Sequence, residues 1–516
     1  MAIINKQIAP NLKLLELLKT DRNGILSVHT SPKHPYTNLN CNISFTDNIT
    51  LDPDPYITQK LNESDYKLKA ETELKLSCTD IDYYILGKHI IPKHISLPNF
   101  DDPTVTSTSI TKKVISNIHS ISNKSKTHYK KTKYYRLLLP VENATILMRD
   151  FQPSWGIQID NLNSPDILIK LSIDSQECHF YTVKKKEETF LGIDSQSKIC
   201  YDEFTRVCNS ILMTYAFLKG KYFGGEGYIF SYNYNKFENP LGMKTIDYAK
   251  SNLKGFELHT ASPHKYMKFQ EMKIEKDKNG VLQRVNRNTS LEYMNEFPTE
   301  NYSNLCSLIN SNGQVLRSII ILINSHSNTL ELKVPSLFVA LENISKMFAE
   351  VDKGESTLIE EGKIIKALKK IAHNAKKEVN KLKRDNEPKD LSEEDLNAYK
   401  ANYARMCSKL DGLNRGTNNK KLSEPFDKFN YKLSQDESDA IFIDRNKFLH
   451  GDDFLSNNID YEVEFKGLFH ISMIVHKLTA ILILKASGFS GHIVNLPKVY
   501  SYISEKKVEG KCLVKI

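Results

Sequence analysis

"DAIFIDRNKFLHGDD", residues 439–453, sets Arg445, Asn446 and His450 into a segment that otherwise reads as an apolar helix. On a helix, Ile441, Arg445, Phe448 and Leu449 share one side and Phe442, Asn446 and Leu449 an overlapping one, while Asp444 and Lys447 point away. Arg445 and Asn446 therefore fall on the packed side. A guanidinium taken out of water needs anionic or hydrogen-bonding partners, because a buried polar group left without one costs about 1–3 kcal/mol or more. Asn446 and His450 stack along such a helix, whereas Arg445 and His450 lie roughly 140° apart around it. Bringing that last pair together requires a helix end or bend near Gly451, or a second copy of the chain facing the first. A plainer reading stays open beside this one. Histidine in a last turn followed by glycine is an ordinary helix stop, with Arg445 then in a surface ion pair with Asp444 or Asp452.

Working outward, the chain from about Val334 onward has few prolines and a three-and-four apolar spacing. The spacing predicts helices near 336–350, 357–384, 392–410, 420–449 with a break or bend inside, and 461–486. In the second, Ile364, Leu368, Ile371, Ala375, Val379 and Leu382 form one apolar stripe. Ahead of this block, residues 24–330 are mostly short alternating runs such as "GILSVHTS", "KYYRLLLPV" and "PDILIKLSI", which predict strands. One helix is predicted there, in "DEFTRVCNSILMTYAFLKG", stopping at Gly220. Segment 104–127 is rich in Ser, Thr, Asn and Lys and reads as a linker splitting the front into two lobes. The expected fold class is α+β, with a β-rich region over 1–325, a helical domain over 326–490 and a tail over 491–516.

Bulk properties narrow the class of protein. A chain of 516 residues with 40% hydrophobic content supports real cores. "MAIINKQIAPNLKLLELLK" carries no charged-then-apolar export signal, and the most apolar run, from Leu468, is interrupted by His470, His476 and Lys477. A helix buried in protein rather than lipid, no membrane partner and a cytoplasmic location are expected. His470 and His476 lie roughly 240° apart around that helix, so they do not read as a metal pair. Cysteines at 41, 78, 178, 200, 208, 306, 407 and 512 show no C-x2-C pair, so neither a disulfide framework nor a zinc knuckle is expected. A net charge of +9 permits an acidic partner without demanding one.

"RNKFLHG" resembles the Arg-x4-6-His signature of HEPN domains, and "ALE" at Ala340 to Glu342 resembles the opening helix of the ApeA-like HEPN group. Arginine is scarce here, 11 of 71 basic residues, so the match is not a product of abundance. The resemblance covers about 330–490. It implies a helical bundle acting as a dimer, a metal-independent endoribonuclease of antiphage abortive-infection defence without a cofactor, and a front half that senses a phage-derived trigger. The residues suit that chemistry. RNA carries its own nucleophile in the 2'-hydroxyl; His450, with an ordinary pKa of ~6.5, would take its proton. Arg445 would meet the charge growing on the phosphate. A 2',3'-cyclic phosphate and a 5'-hydroxyl would result. Asn446 would orient His450, contact the phosphate, or simply cap the helix. Asp452 would hold the imidazole tautomer or face solvent. Glu342 would form a helix ion pair with Lys346 or contribute to the cleft.

The RNA expected as partner is tRNA, ribosomal or messenger. Eight lysines and Arg384 against the lone acid Glu378 make residues 363–384 strongly basic, and Lys369, Lys370, Lys376 and Lys377 are candidate phosphate contacts on what is otherwise a solvated helix face. "HYKKTKYYR", 128–136, interleaves Lys130 and Lys131 with aromatic rings as single-strand binders do, though an exposed strand has the same look. "KKKEE" at 184–188 reads as a hairpin tip, "GGEG" at 224–227 as a turn, and Trp155 as a core anchor. Two other functions remain open: a non-catalytic HEPN dimerisation or nucleotide-binding adaptor, and the toxin of a pair whose antitoxin covers the site.

Overall fold

Alternating apolar residues in the front half pair into two sheets. The computed structural model describes residues 3–28, 39–45, 49–54, 70–97, 111–141, 151–185, 188–250, 258, 272–276, 278, 282–286, 296–351, 361–386, 392–411, 418–445 and 461–516. Strands β1 (Ile3–Lys6), β2 (Arg22–Val28), β3 (Leu39–Phe45), β4 (Ile49–Asp54), β5 (Glu73–Ser77), β6 (Asp82–Leu86), β7 (Ile90–Leu97) and β8 (Thr111–Ile118) come first. After them come β9 (Tyr134–Val141), β10 (Trp155–Ile159), β11 (Leu162–Ile173), β12 (Gln176–Lys185), β13 (Glu188–Ser195), β14 (Gly225–Tyr232) and β15 (Gly242–Tyr248). One sheet runs β6-β5-β2-β3-β4-β8-β7; the other runs β1-β10-β11-β12-β13-β9-β14-β15, antiparallel except where β1 joins β10 in parallel. Residues 119–133 carry the chain from one sheet to the other. The expected linker at 104–127 is thus corrected in part: Thr111–Ile118 is a paired strand, and the changeover comes after it. "GGEG" likewise enters β14 rather than forming only a turn.

The chain divides into two compact units, Met1–Ser327 with Ala486–Val499 and Glu509–Ile516, and Asn328–Lys485 with Tyr500–Val508. The first unit also holds the hairpin of β16 (Met272–Lys276) and β17 (Leu282–Asn286), and the pair formed by β18 (His492–Val494) and β19 (Leu513–Lys515). A separate tail over 491–516 is therefore replaced by a return of the chain. The Tyr201–Lys219 helix stops where predicted, with Gly220 at φ +68, a conformation that costs a residue without Cβ nothing. Against it packs the Thr299–Ser311 helix, with the Tyr302 hydroxyl donating to the Ile211 carbonyl at 2.9 Å.

Inside the eight-stranded sheet lies a charged cluster that the strand pattern does not announce. Register places His179 of β12 opposite Asp194 of β13, and Asp194 opposite Arg136 of β9, so the three stand in a row on one face. Asp194 accepts from Arg136 Nε at 2.7 Å and Nη2 at 2.9 Å, from the Tyr181 hydroxyl at 2.9 Å and from Lys6 Nζ at 2.7 Å. Arg136 also donates to the Gln7 carbonyl and to Asn11, which bonds Tyr232; Lys6 donates to His179 Nδ1 at 3.0 Å. Burial and the Lys6 ammonium pull His179 down to about 3, so it is a neutral acceptor at pH 7. Gly192, opposite Tyr181, leaves the space that ring needs: a Cβ there would meet it at 2.4 Å.

The second unit is helical. Its helices are Leu330–Val351, Gly362–Asp385, Glu393–Asp411, Asn418–Lys428, Gln435–Asp439 running into a wider turn over Ala440–Asp444, and Tyr461–Ala486. The break expected inside 420–449 falls between Lys428 and Gln435. Gly362–Asp385 and Glu393–Asp411 pack as a pair, and Asn418–Lys428 packs on Leu330–Val351. By length and composition Tyr461–Ala486 could cross a membrane, yet most of its apolar window is buried inside the protein.

Candidate functional site

Leu330–Val351 is a central helix: Val334, Leu337, Phe338, Ala340, Leu341 and Ile344 are all fully buried. Glu342 stands on the side left open, its side chain 26% exposed. The second contributor begins at Ser434, whose hydroxyl accepts from the Glu437 N–H while the Glu437 carboxylate accepts from the Ser434 N–H, a reciprocal cap. Glu437 also takes the Lys477 ammonium at 2.6 Å and the Tyr431 hydroxyl at 2.9 Å, which ties this short helix to Tyr461–Ala486. Beyond the cap the helix widens. The Arg445 N–H donates to the Ala440 carbonyl five residues back, so Ala440–Asp444 is a π-turn. Such a turn inserts one residue and rotates the positions beyond it by roughly 100°. Ala440 and Ile441 stay buried, Ile443 faces solvent, and Arg445 is turned inward at 8% exposure.

Arg445 meets Glu342 there. Its Nε and Nη2 donate to the same carboxylate oxygen, at 2.9 Å and 2.5 Å, across a sequence separation of 103. The need for an anionic partner is met by another helix rather than by Asp444 or Asp452 at the surface. Glu342 in turn reaches Arg445 instead of Lys346, which is exposed one turn along its own helix. The structure thus brings together two of the residues singled out in the sequence. Asn446, His450 and Asp452 lie outside the described residues. Lys369, Lys370 and Lys377 are exposed and Lys376 half-buried on the Gly362–Asp385 helix. Lys130 and Lys131 are exposed after the short helix Lys126–Tyr129, but Tyr129 and Tyr135 beside them are buried at 6% and 0% exposure. Rings packed in the core cannot stack on bases, so Tyr129 and Tyr135 take no part in such stacking, whereas Tyr134 is half-buried. Trp155 is half-buried, edge-on to His179.

No family model, curated protein or solved structure matches this chain. Among the described residues, no group of three or more His, Cys, Asp or Glu gathers as metal ligands do.

His470 reads in the sequence as an ordinary helix residue, but its surroundings give it interest. Burial lowers the pKa of this half-buried imidazole; Asp436 and Asp444 oppose that, and the Lys506 and Lys477 ammoniums add to it. Its Nδ1 is buried without a hydrogen-bond partner among the described residues. A linear pattern could not reveal this, because the neighbours come from another helix.

Glu437 makes the segment acid-sensitive. Burial alone would raise its carboxyl, but the Lys477 ammonium, the Ser434 N–H and the Tyr431 hydroxyl hold it below the ordinary value. A lowered carboxyl contributes stability that is complete above the unfolded pKa, ~4.3, and is lost as pH falls through the folded value. Urea midpoints measured from pH 7 to 3 should therefore fall below about pH 4.3, and Glu437→Gln should show a shallower fall. An identical pH slope in the variant would remove Glu437 from this role.

Proposed function

We propose that the helical unit is a HEPN-type endoribonuclease that cleaves RNA without a metal ion, acting as a dimer in antiphage defence. The observation that carries the reading is the Arg445–Glu342 pair, which joins the arginine of "RNKFLHG" to the glutamate of "ALE". In this reading Glu342 is a positioning residue: it holds the guanidinium on the packed side of its helix, where it awaits a phosphate. His450 takes the 2'-hydroxyl proton, the oxygen attacks the neighbouring phosphorus, and the 5'-oxygen leaves with a proton from a general acid. The exposed lysines of Gly362–Asp385 would carry the RNA backbone.

A second reading rests on the same pair. A guanidinium already matched by a carboxylate also suits a non-catalytic adaptor that keeps Arg445 for its fold. Mapping RNA ends after induction separates the two. The nuclease reading expects 2',3'-cyclic phosphate and 5'-hydroxyl ends, formed equally with a chelator present, and a loss of about 10²- to 10⁴-fold in His450→Ala. Equal cleavage patterns in parent and His450→Ala, or ends bearing 3'-hydroxyls, would sink it.

A further inference from the structure

The first unit holds a cavity, independent of the nuclease reading, at the point where its two sheets are stitched together. Ser122 exchanges backbone hydrogen bonds with Tyr84 of β6 and forms a bridge to Lys244 of β15, so residues of both sheets surround the opening. The space is small and open to solvent, and its polar walls include Lys244, Lys124, Lys126, His89, Tyr84 and Glu73. The positive charges outnumber the negative. Glu73 accepts from the Lys126 N–H at 2.6 Å, and the Lys126 ammonium donates to the Glu71 carbonyl at 2.9 Å.

Lys244 is the unusual member. Its half-buried ammonium lies over the rings of Tyr201, at 4.4 Å, and Tyr129, at 5.6 Å. Among the described residues it has no hydrogen-bond acceptor and no carboxylate within ion-pair reach. Aromatic faces offset only part of what a cation loses on leaving water. The Lys124 ammonium likewise has no acceptor among the described residues, and its side chain is exposed at the rim. We propose that this cavity is a binding site for a phosphate-sized oxyanion, either free or as the phosphoryl head of a small ligand, gripped by Lys244 and Lys124. A cluster of cations that outnumbers the one wall carboxylate, Glu73, suits such a group, because charge-assisted bonds to phosphoryl oxygens are short and strong. Burial and the nearby Lys88 ammonium lower the Lys244 pKa, against the smaller opposing pull of Asp202 and Glu73. Burial together with Lys244 and Lys88 lowers His89 to about 4, which leaves a neutral imidazole on the wall at pH 7.

The test is calorimetric titration and thermal melting of the full chain with inorganic phosphate, with a nucleoside monophosphate, and with acetate at matched ionic strength. Saturable heat and a Tm rise of about 2–4 °C with phosphate or the nucleotide, absent with acetate, are expected. Tighter binding of the nucleotide would assign the site to a phosphorylated small molecule, and equal binding would assign it to phosphate itself. Lys244→Met should weaken binding by about tenfold or more. Lys124→Met, whose exposed side chain can be replaced without disturbing the core, should weaken it as well, whereas Lys244→Arg should retain part of it. The proposal fails if neither phosphate nor the nucleotide binds saturably, or if folded Lys244→Met and Lys124→Met bind as the parent does.

Discussion

Asp194→Asn is expected to lower the stability of the β-rich unit by about 3–5 kcal/mol. Asp194 is fully buried, and it is the carboxylate that both Arg136 and Lys6 reach. Asparagine keeps the shape and one acceptor oxygen but removes the charge, leaving a guanidinium and an ammonium out of water without a counter-ion. Its response to acid agrees. Burial alone would raise the Asp194 carboxyl, yet Arg136 and Lys6 hold it far below the ordinary carboxylate range. Its contribution is therefore complete above the unfolded value, ~3.9, and disappears only as pH falls well below that. Urea unfolding at pH 7 measures the loss. A companion variant that removes Arg136, Lys6 and Asp194 together in favour of apolar residues should recover much of it, because well-packed apolar groups can replace buried ions at little cost. A midpoint for Asp194→Asn equal to the parent's would mean that the two cations find other partners.

Arg445→Ala is expected to reduce RNA cleavage by about 10²- to 10³-fold, as removal of a donor aimed at developing charge does. The same change should destabilise the helical unit by only about 1–2 kcal/mol, because the Glu342 side it leaves behind opens to solvent and can rehydrate. Glu342→Gln provides the contrast. It keeps the guanidinium but loosens its hold, so stability should fall by a similar amount while cleavage falls far less than in Arg445→Ala. End-mapped RNA and urea midpoints, taken on the same preparations, read both quantities. If cleavage were unchanged in Arg445→Ala while stability fell, the arginine would be a structural residue and the adaptor reading would stand.

Much of the fold is legible in the sequence because periodicity is a local property. Helix 461–486 appears with its expected bounds, the Tyr201–Lys219 helix ends at the predicted glycine, and "KYYRLLLPV" is a strand. Features that depend on register and on distant partners escape. Arg136 ends a run of lysines and tyrosines that looks solvent-facing, and only the pairing of β9 with β13 reveals that it is fully buried against Asp194. The return of 486–499 to the first unit leaves no signature, since short strands and turns look like a tail. At the candidate site the opposite holds. Because an arginine among isoleucine and phenylalanine demands an anion, the requirement is readable, but the identity of that anion, Glu342, depends on the packing of two helices. The π-turn is beyond reach because a single widened turn leaves no mark on apolar spacing.

The chain passes four times between its two units, at residues 327–328, 485–486, 499–500 and 508–509. The helical unit is thus an insert, not an appendage. β19 is synthesised after all of that insert, so on the ribosome the helices finish before the β18–β19 pair can close. One proteolytic nick at 327–328 would split the chain into two polypeptides, and Met1–Ser327 would keep its hold on 486–499 only through noncovalent bonds such as that from Asn301 to the Ser487 carbonyl.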